Sequence, residues 1–262
     1  MTRLLENKTA IVYGAGGSLG GGVARAFAQA GARVYLAGRT RASLEAVAAD
    51  ITATGGAADV AVVDALDERA VEEHVGQVVK ESGRVDVSFN LISRGDVQQI
   101  PLVDMATADL LRAVTNGLAS NFITSRAAAR HMIKQGSGVI LHLNSGSAKG
   151  TMPLMGSTGP ADATTETFMR YLAAEVGPSG VRVVGIYTAG VADTLTREKI
   201  AKVGGGEGID PAVVEQMIAG MAMLRRAPKV TQVADTAVFL ASDRASGITG
   251  TIVNVTCGLL PG

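Results

Sequence analysis

The sequence is poor in the residues from which disulfides, metal sites and aromatic platforms are built. Its 262 residues include one cysteine, Cys257, three histidines and no tryptophan. A single cysteine cannot close a disulfide within the chain, and no cysteine cluster is available to hold zinc. The 24 basic side chains balance the 24 acidic ones, so the net charge predicts neither a nucleic-acid partner nor an anionic membrane partner.

Long hydrophobic runs are also missing. No apolar stretch approaches the roughly 18 residues that a membrane-spanning helix requires. Residues 1–14 carry Arg3, Glu6 and Lys8 and lack the apolar centre of a signal peptide. Together these absences predict a cytoplasmic globular protein that binds no metal ion.

Short runs of β-branched residues alternate along the chain with longer alanine-rich segments of helical spacing. The predicted strands are residues 9–13, 33–37, 59–63, 85–90, 138–143, 181–187 and 251–255. The predicted helices are residues 19–29, 43–54, 68–81, 109–134, 163–176 and 232–241. This alternation favours a parallel sheet with helices on both faces. We therefore predict one doubly wound α/β domain over residues 1–262, with a seven-stranded sheet and a lid at residues 188–229.

A glycine-rich turn follows the first predicted strand and opens the first predicted helix. Glycine there permits a positive φ and lets the backbone approach a pyrophosphate, which the free N–H groups of the helix start bind. This context is typical of a dinucleotide-binding Rossmann domain. The residues predicted to bind the coenzyme in this turn are Gly14, Gly16, Gly17, Ser18, Leu19 and Gly20. The alternative is a turn whose glycines serve only close packing of helix on strand.

The end of the second predicted strand bears on the choice between NAD(H) and NADP(H). A carboxylate there binds the ribose hydroxyls of NAD, whereas an arginine accommodates the 2′-phosphate of NADP. The strand ends at Gly38 and Arg39 follows, so we predict NADP(H), with NAD(H) as the alternative. Another interpretation is that Arg39 and Arg41 only begin a solvated helix. Asp64, after the third strand, is predicted to bind the adenine, and Ala65 completes this part of the site.

Further positions make the whole chain resemble the short-chain dehydrogenase/reductase family. Asn90, Asn116 and Ser145 stand where that family has its strand-end asparagine, its helix asparagine and its catalytic serine. Residues 233–250 are very similar to the family's C-terminal segment. The resemblance implies hydride transfer between a nicotinamide and an alcohol/carbonyl pair, with Asn90 in the coenzyme site. It also implies a homodimer or homotetramer that pairs through its two long helices.

The resemblance fails at the two residues on which the family's chemistry depends. It implies a Tyr-x-x-x-Lys pair about 13 residues after the serine, in which the lysine lowers the pKa of a tyrosine that acts as general acid/base. Counting 13 and 17 residues from Ser145 gives Thr158 and Asp162, and no tyrosine lies between Tyr35 and Tyr171. A threonine hydroxyl has a pKa far above the value of about 10 for a phenol. The usual machinery for carbonyl reduction is therefore absent.

Several groups near Ser145 are candidates for the missing acid/base. Lys149 follows four residues later and is either an electrostatic group or a solvated loop lysine. Asp162 is either a general base whose pKa is raised by burial or a residue that interacts with the helix dipole as a cap. We expect His142 to be structural and His74 to be an exposed helix residue.

The leading hypothesis is an NADP(H)-binding oxidoreductase of the short-chain type that acts on a carbonyl or alcohol through an atypical active site. Its predicted catalytic residues are Asn116, Ser145, Thr158 and Asp162. The second hypothesis is a non-catalytic nucleotide-binding, sensor or scaffold protein on the same fold. The third is a lyase- or isomerase-like enzyme that uses Asp162 or Lys149. The fold does not decide among these three.

Methionines after the serine and in the predicted lid bear on the substrate. Met152 and Met155 follow the serine loop, and Met217, Met221 and Met223 lie in the lid. Methionine forms adaptable apolar walls, which predicts a small-molecule substrate that is apolar in part. The alternative, which we favour because Met217 and Met221 are four residues apart, is ordinary core filling.

Overall fold

The computed structural model describes residues 3–150, 152–204 and 209–260, and within these ranges the chain forms a seven-stranded sheet. The strands are β1 (Thr9–Tyr13), β2 (Arg33–Gly38), β3 (Ala57–Val62), β4 (Val87–Asn90), β5 (Gly138–Ser145), β6 (Val181–Thr188) and β7 (Thr251–Val255). Every neighbouring pair is parallel, in the order β3-β2-β1-β4-β5-β6-β7. The predicted doubly wound α/β fold with a seven-stranded parallel sheet is confirmed.

Helices pack against both faces of the sheet. They are α1 (Ser18–Gln29), α2 (Arg41–Ala53), α3 (Glu68–Ser82), α4 (Thr107–Gln135), α5 (Thr158–Val176), α6 (Arg197–Lys202), α7 (Pro211–Met221) and α8 (Val230–Ala241). One core cluster joins the sheet to α1, α2 and α8, and a second joins it to α3, α4 and α5. None of the helices in the described ranges is long and apolar enough to cross a membrane.

The central strand shows why the sequence forms a sheet that is covered on both faces. Ile11 and Val12 are consecutive in β1, and both are fully buried. Consecutive side chains of a strand point to opposite faces, and Ile11 packs in the cluster of α3, α4 and α5 while Val12 packs in the cluster of α1, α2 and α8. An unbroken apolar run is what such a strand requires.

The strand order reverses beside β1, and this reversal positions the site. β1 pairs with β2 on one side and with β4 on the other. In open α/β sheets, ligands bind in the crevice outside the carboxyl ends of the strands at this switch point. The glycine turn after β1 and the loop after β4 border that crevice.

Helix α5 begins earlier than predicted, at Thr158 rather than at residue 163. Its first turn contains Gly159-Pro160, and proline is tolerated there because the N–H groups of a first turn have no intrahelical acceptor. The earlier start places Thr158 and Asp162 one turn apart on the same face of α5. Both side chains are buried.

The predicted lid contains two short helices, α6 and α7, and residues 205–208 of its glycine run lie outside the described residues. Lys199 of α6 reaches the glycine turn, where its Nζ lies 3.0 Å from the hydroxyl of Ser18. The prediction that the lid methionines fill the core is wrong. Met217, Met221 and Met223 are 62%, 49% and 69% exposed, because α7 has no buried residue with which a core face would be formed.

The prediction that His74 is exposed is also wrong. Its imidazole lies edge-on to Tyr13 and Tyr35, with ring centroids 6.2 and 6.5 Å away. Neither ring nitrogen has a hydrogen-bond partner in the described part of the chain. Burial lowers the pKa of His74 to about 4, against an ordinary value of 6.5.

Replacing His74 by phenylalanine is expected to flatten the pH dependence of stability. Since the folded pKa lies below the unfolded one, the stability present above pH 6.5 is lost as the pH falls toward 4. This loss amounts to about 2 kcal/mol between pH 7.5 and pH 5, and phenylalanine does not titrate. Urea unfolding of wild type and His74→Phe at both pH values measures the difference. An equal fall in both proteins would contradict the burial of His74.

Candidate functional site

The glycine turn after β1 has the geometry of a phosphate cradle. Gly14 has a φ of +78°, and a Cβ atom there would lie 2.6 Å from the main-chain oxygen of Leu91. A Cβ atom at Gly20 would lie 2.2 Å from the main-chain oxygen of Gly14. Helix α1 begins at Ser18, so the N–H groups of its first turn have no intrahelical acceptor and, with the helix dipole, favour an anion. The turn therefore requires glycine at both positions.

The other predicted coenzyme residues follow β2, β3 and β4 at the same edge of the sheet. Arg39 is exposed and forms no ion pair with any described residue, whereas the neighbouring Arg41 lies 3.6 Å from Glu45. Asp64 accepts a hydrogen bond of 3.0 Å from the main-chain N–H of Leu66. The adjacent Ala65 is buried. Arg39 is thus a cation at the end of β2 whose charge no neighbouring carboxylate neutralises.

Asn90, the last residue of β4, supports the loop that follows it. Its Oδ1 accepts a 3.1 Å hydrogen bond from the main-chain N–H of Ile92, and its Nδ2 lies 3.4 Å from the hydroxyl of Thr124. The side chain is buried and lines the cavity next to the crevice. Asn90 therefore lies between the coenzyme crevice and the cavity.

The cavity is about 260 Å³ in volume and lies where β4, β5 and α5 meet. It brings together three of the four predicted catalytic residues, Ser145, Thr158 and Asp162. The fourth, Asn116, is not among its lining residues, and its Nδ2 lies 3.3 Å from the main-chain oxygen of Arg94. Asn116 consequently holds the loop that forms the cavity wall.

The most strongly held group in the wall is the carboxylate of Asp162, which is 0% exposed. Nη1 of Arg94 donates to its Oδ1 over 2.7 Å, and the hydroxyl of Ser145 donates to its Oδ2. Nε of Arg94 in turn lies 2.9 Å from Oδ1 of Asp96. The prediction that Asp162 is a helix cap is wrong, because both carboxylate oxygens are used by partners outside α5.

Burial dominates the electrostatics of this cluster. It raises the pKa of Asp162, and the guanidinium of Arg94 and the hydroxyl of Ser145 offset part of that rise. Burial by itself would lower the pKa of Arg94, but the carboxylates of Asp162 and Asp96 outweigh it and raise that pKa. Arg94 is therefore a permanent cation, while Asp162 binds a proton more readily than an exposed aspartate does.

The hydroxyl of Ser145 can donate one hydrogen bond, and the groups around it determine which of them accepts that bond. Its Oγ donates to Asp162. The main-chain N–H of Ser147 lies 3.3 Å from the same Oγ, and the hydroxyl of Ser147 lies 2.9 Å from it. Because the proton of Ser145 is engaged by the carboxylate, the hydroxyl of Ser147 acts as donor in that pair.

Thr158 is held against the other side of the cavity. Nε2 of Gln98 donates to its hydroxyl over 3.0 Å, and the hydroxyl of Ser157 accepts a 3.0 Å bond from the main-chain N–H of Val97. Nδ2 of Asn144 lies 3.1 Å from the main-chain oxygen of Asp162. The loop after β4 and the start of α5 are in this way joined along the whole wall.

Other sequence candidates lie away from the cavity. Lys149 is exposed and does not line it. His142 is fully buried between Asn121 and Ser125, as expected of a structural residue.

A second cleft, about 330 Å³ in volume, lies at the opposite edge of the sheet. Its charged groups are already partnered: Asp86 by Arg84 and Lys8 by Asp243. Arg182 donates to three main-chain oxygens. The charged side chains among the described residues of this cleft are therefore all paired.

Sequence reasoning missed Arg94, Asp96 and Gln98. All three lie in the loop after β4, where the resemblance offered no counterpart. One signal was available. A carboxylate on the inner face of a helix next to a predicted active site needs a cation, and the loop after β4 carries the nearest one along the sheet edge.

Known proteins are similar to this chain over nearly its whole length. A family model described as Enoyl-(Acyl carrier protein) reductase matches residues 14–260. The chain is 28% identical to 7alpha-hydroxysteroid dehydrogenase of Escherichia coli (strain K12), over 97% of this chain and 94% of that one. It is 31% identical to Short-chain reductase protein NovJ of Streptomyces niveus, over 97% and 94%. The solved structure of NAD+-bound xylitol dehydrogenase superposes with a TM-score of 0.86 at 27% identity, over 97% of this chain and 99% of that one.

Proposed function

We propose, from the premise that this chain belongs to the short-chain dehydrogenase/reductase family, that it transfers hydride between NADP(H) and a small substrate held beside Ser145 and Asp162. Membership follows from the family model that spans residues 14–260 and from the 31% identical relative. It makes the chain an oxidoreductase of the short-chain type. One observation supports the proposed coenzyme and substrate. The glycine cradle lies on one side of the switch point beside β1, and the buried acid/base cluster lies on the other side.

The chain's own residues divide the work of binding as follows. The turn from Gly14 to Gly20 holds the pyrophosphate, and Lys199 lies 3.0 Å from Ser18 at the mouth of that turn. Arg39 binds the 2′-phosphate, and Asp64 with Ala65 borders the adenine. Bound NADP(H) supplies or accepts the hydride.

The chain's part in the chemical step lies at Ser145 and Asp162. Asp162 is a carboxylate that acts as general base, and its burial raises its pKa above that of an exposed aspartate. Ser145, which donates to Asp162, positions that carboxyl against the substrate. Arg94 fixes the carboxyl from behind, and Thr158 closes the opposite wall. Lys149 lies outside the cavity, so no observation favours the lyase- or isomerase-like alternative through that residue.

Replacing Arg39 by alanine is expected to weaken NADPH binding about 10- to 100-fold and to leave NADH binding unchanged. A charge-assisted hydrogen bond contributes about 1.5–3 kcal/mol, which corresponds to that ratio of dissociation constants. Titration calorimetry with NADPH and with NADH measures both. Arg41→Ala is the matched control, since Arg41 lies against Glu45. Equal loss of NADPH affinity in both variants, or none in Arg39→Ala, contradicts the NADP assignment and favours NAD(H), the coenzyme named with the xylitol dehydrogenase structure.

The proposal includes a homodimer or homotetramer that pairs through α4 and α5. The two helices carry exposed apolar side chains: Phe122 is 42% exposed, Ile133 43% and Tyr171 70%. Exposed apolar surface of this kind is typical of association surfaces. Sedimentation equilibrium of the wild type tests this part of the proposal.

A further inference from the structure

The wall of the catalytic cavity offers acceptors where reduction of a carbonyl requires proton donors. The one proton of Ser145 is engaged by Asp162. Thr158 accepts a hydrogen bond from Gln98, and its own hydroxyl is far too weak an acid to replace a phenol. Oδ1 of Asn144 is buried with no donor among the described residues. A carbonyl oxygen that becomes an alkoxide here would find no neutral acid like the family's tyrosine.

The formal charges of the wall sum to one negative charge. Among the lining residues that the structure describes, the charged ones are Arg94, Asp96 and Asp162. One guanidinium therefore faces two carboxylates, and it is bonded to both. An alkoxide that develops beside this cluster is opposed by the excess negative charge, whereas a positively charged nitrogen is attracted to it.

We propose that this cavity takes a nitrogen cation as its substrate, an iminium ion in the reductive direction or the corresponding amine in the oxidative direction, with Asp162 as the partner of the nitrogen. The proposal rests on the proposed function, because it needs the same hydride transfer. It narrows the substrate class from a carbonyl/alcohol pair to an imine/amine pair.

The chemistry balances with the residues present. The imine nitrogen takes a proton from solvent, which forms the N–H bond of an iminium ion, and this cation pairs with the Asp162 carboxylate. The hydride of bound NADPH then adds to the iminium carbon, the C=N π pair becomes the nitrogen lone pair, and the product is an amine with NADP+. Asp162 stays a carboxylate throughout, held by Arg94 and Ser145. Since the nitrogen is protonated before the hydride arrives, no phenol is needed to trap an alkoxide.

Arg94 is a positioning residue in this scheme. It holds Oδ1 of Asp162 and leaves Oδ2 to Ser145, so one carboxylate oxygen faces the side of the cavity where Ser145 lies. The Asp162 carboxylate is 0% exposed, so little water screens its attraction for a nitrogen cation. An aspartate at this position therefore favours the reduction of an imine and opposes the reduction of a ketone, in which an alkoxide develops.

A matched pair of small rings tests the proposal with wild-type protein. 2-Methyl-1-pyrroline is a cyclic imine, and cyclopentanone is a ketone of similar size and shape. We expect NADPH consumption with the imine to exceed that with the ketone by at least about 100-fold, the lower range for loss of a positioned acid/base. A ketone rate equal to or above the imine rate overturns the proposal.

Two further measurements separate the role of Asp162 from a structural one. Asp162→Asn keeps the acceptor for Arg94 and removes the negative charge that pairs with the nitrogen cation, so the imine rate should fall at least about 100-fold, while Glu73→Gln, at an exposed surface pair, should not change it. In wild type, the amine 2-methylpyrrolidine should compete with the imine and cyclopentanol should not. If Asp162→Asn does not fold, this competition decides, and competition by the alcohol alone refutes the proposal.

The failure of this inference can be told apart from that of the proposed function. NADPH titration without substrate reports the coenzyme site alone. Absence of NADPH binding contradicts the proposed function and, with it, the imine inference. NADPH binding with no turnover of the imine and no competition by the amine overturns the imine inference and leaves the coenzyme proposal standing.

Discussion

Asp162→Ala is expected to lower the free energy of unfolding by up to about 5 kcal/mol, because it removes one of the two carboxylates that bind the guanidinium of Arg94 and leaves only Asp96. The pair spans 68 residues of sequence, the carboxylate is 0% exposed and the arginine side chain is 14% exposed. Water therefore does little to compensate for the lost carboxylate. Urea unfolding at neutral pH measures the change in midpoint and slope.

Two further variants show whether the loss comes from the stranded charge. Arg94→Met with Asp162→Leu removes both charges of the pair and keeps similar volumes, and the Asp96 that remains is 19% exposed and so in contact with water, so its stability should return to within about 2 kcal/mol of the wild type. Glu73→Ala, which breaks an exposed pair with Arg69, should cost less than about 1 kcal/mol. A double variant that is as unstable as Asp162→Ala would show that the carboxylate acts through Ser145 or Asp96 and not through Arg94.

Restoring the family's pair by Thr158→Tyr and Asp162→Lys is expected to fail while Arg94 remains. The new ammonium would stand where the carboxylate now receives the guanidinium, so two buried cations would repel each other. With Arg94→Ala added, the lysine is free to lower the pKa of the tyrosine. The triple variant should then reduce cyclopentanone about 10²- to 10⁴-fold faster than the wild type, the usual contribution of a positioned acid/base.

The comparison needs a measure of folding beside the rate. Thermal unfolding should place the midpoint of the double variant well below those of the wild type and the triple variant, because only the double variant buries two cations beside the single carboxylate of Asp96. A double variant that is stable and reduces the ketone as well as the triple variant would contradict the assigned role of Arg94. The same assays with 2-methyl-1-pyrroline should show selectivity moving from imine to ketone.

Local patterns in the sequence were sufficient to predict the parallel sheet and the glycine turn. The apolar run Ile11-Val12 predicted a strand buried on both faces, and the glycines after Tyr13 predicted the cradle, because both depend on neighbours within a few residues. Counting from Ser145 located Thr158 and Asp162, and the structure places all three side chains on one cavity. The start of α5 was predicted five residues late, and its first turn contains Gly159-Pro160.

The parts that could not be predicted depend on residues far apart in the chain. The partner of Asp162 is Arg94, and no periodicity links the two positions. The burial of His74 depends on Tyr13 and Tyr35, which reach it from β1 and β2. A helix pattern shows which face is apolar, and it does not show which polar residue of that face is enclosed by aromatic rings from a neighbouring sheet.

The close approach of Gly14 to Leu91 has a mechanical consequence. The backbone of Leu91 would lie 2.6 Å from any Cβ atom at Gly14, and Arg94 follows only three residues later. The glycine turn and the cavity lined by Asp162 thus share one thin partition of main chain at Leu91. A methyl group added at Gly14 would push on the loop that aims the guanidinium of Arg94 at Asp162, so a change in the glycine turn would displace the Asp162 carboxylate on the other side of the partition.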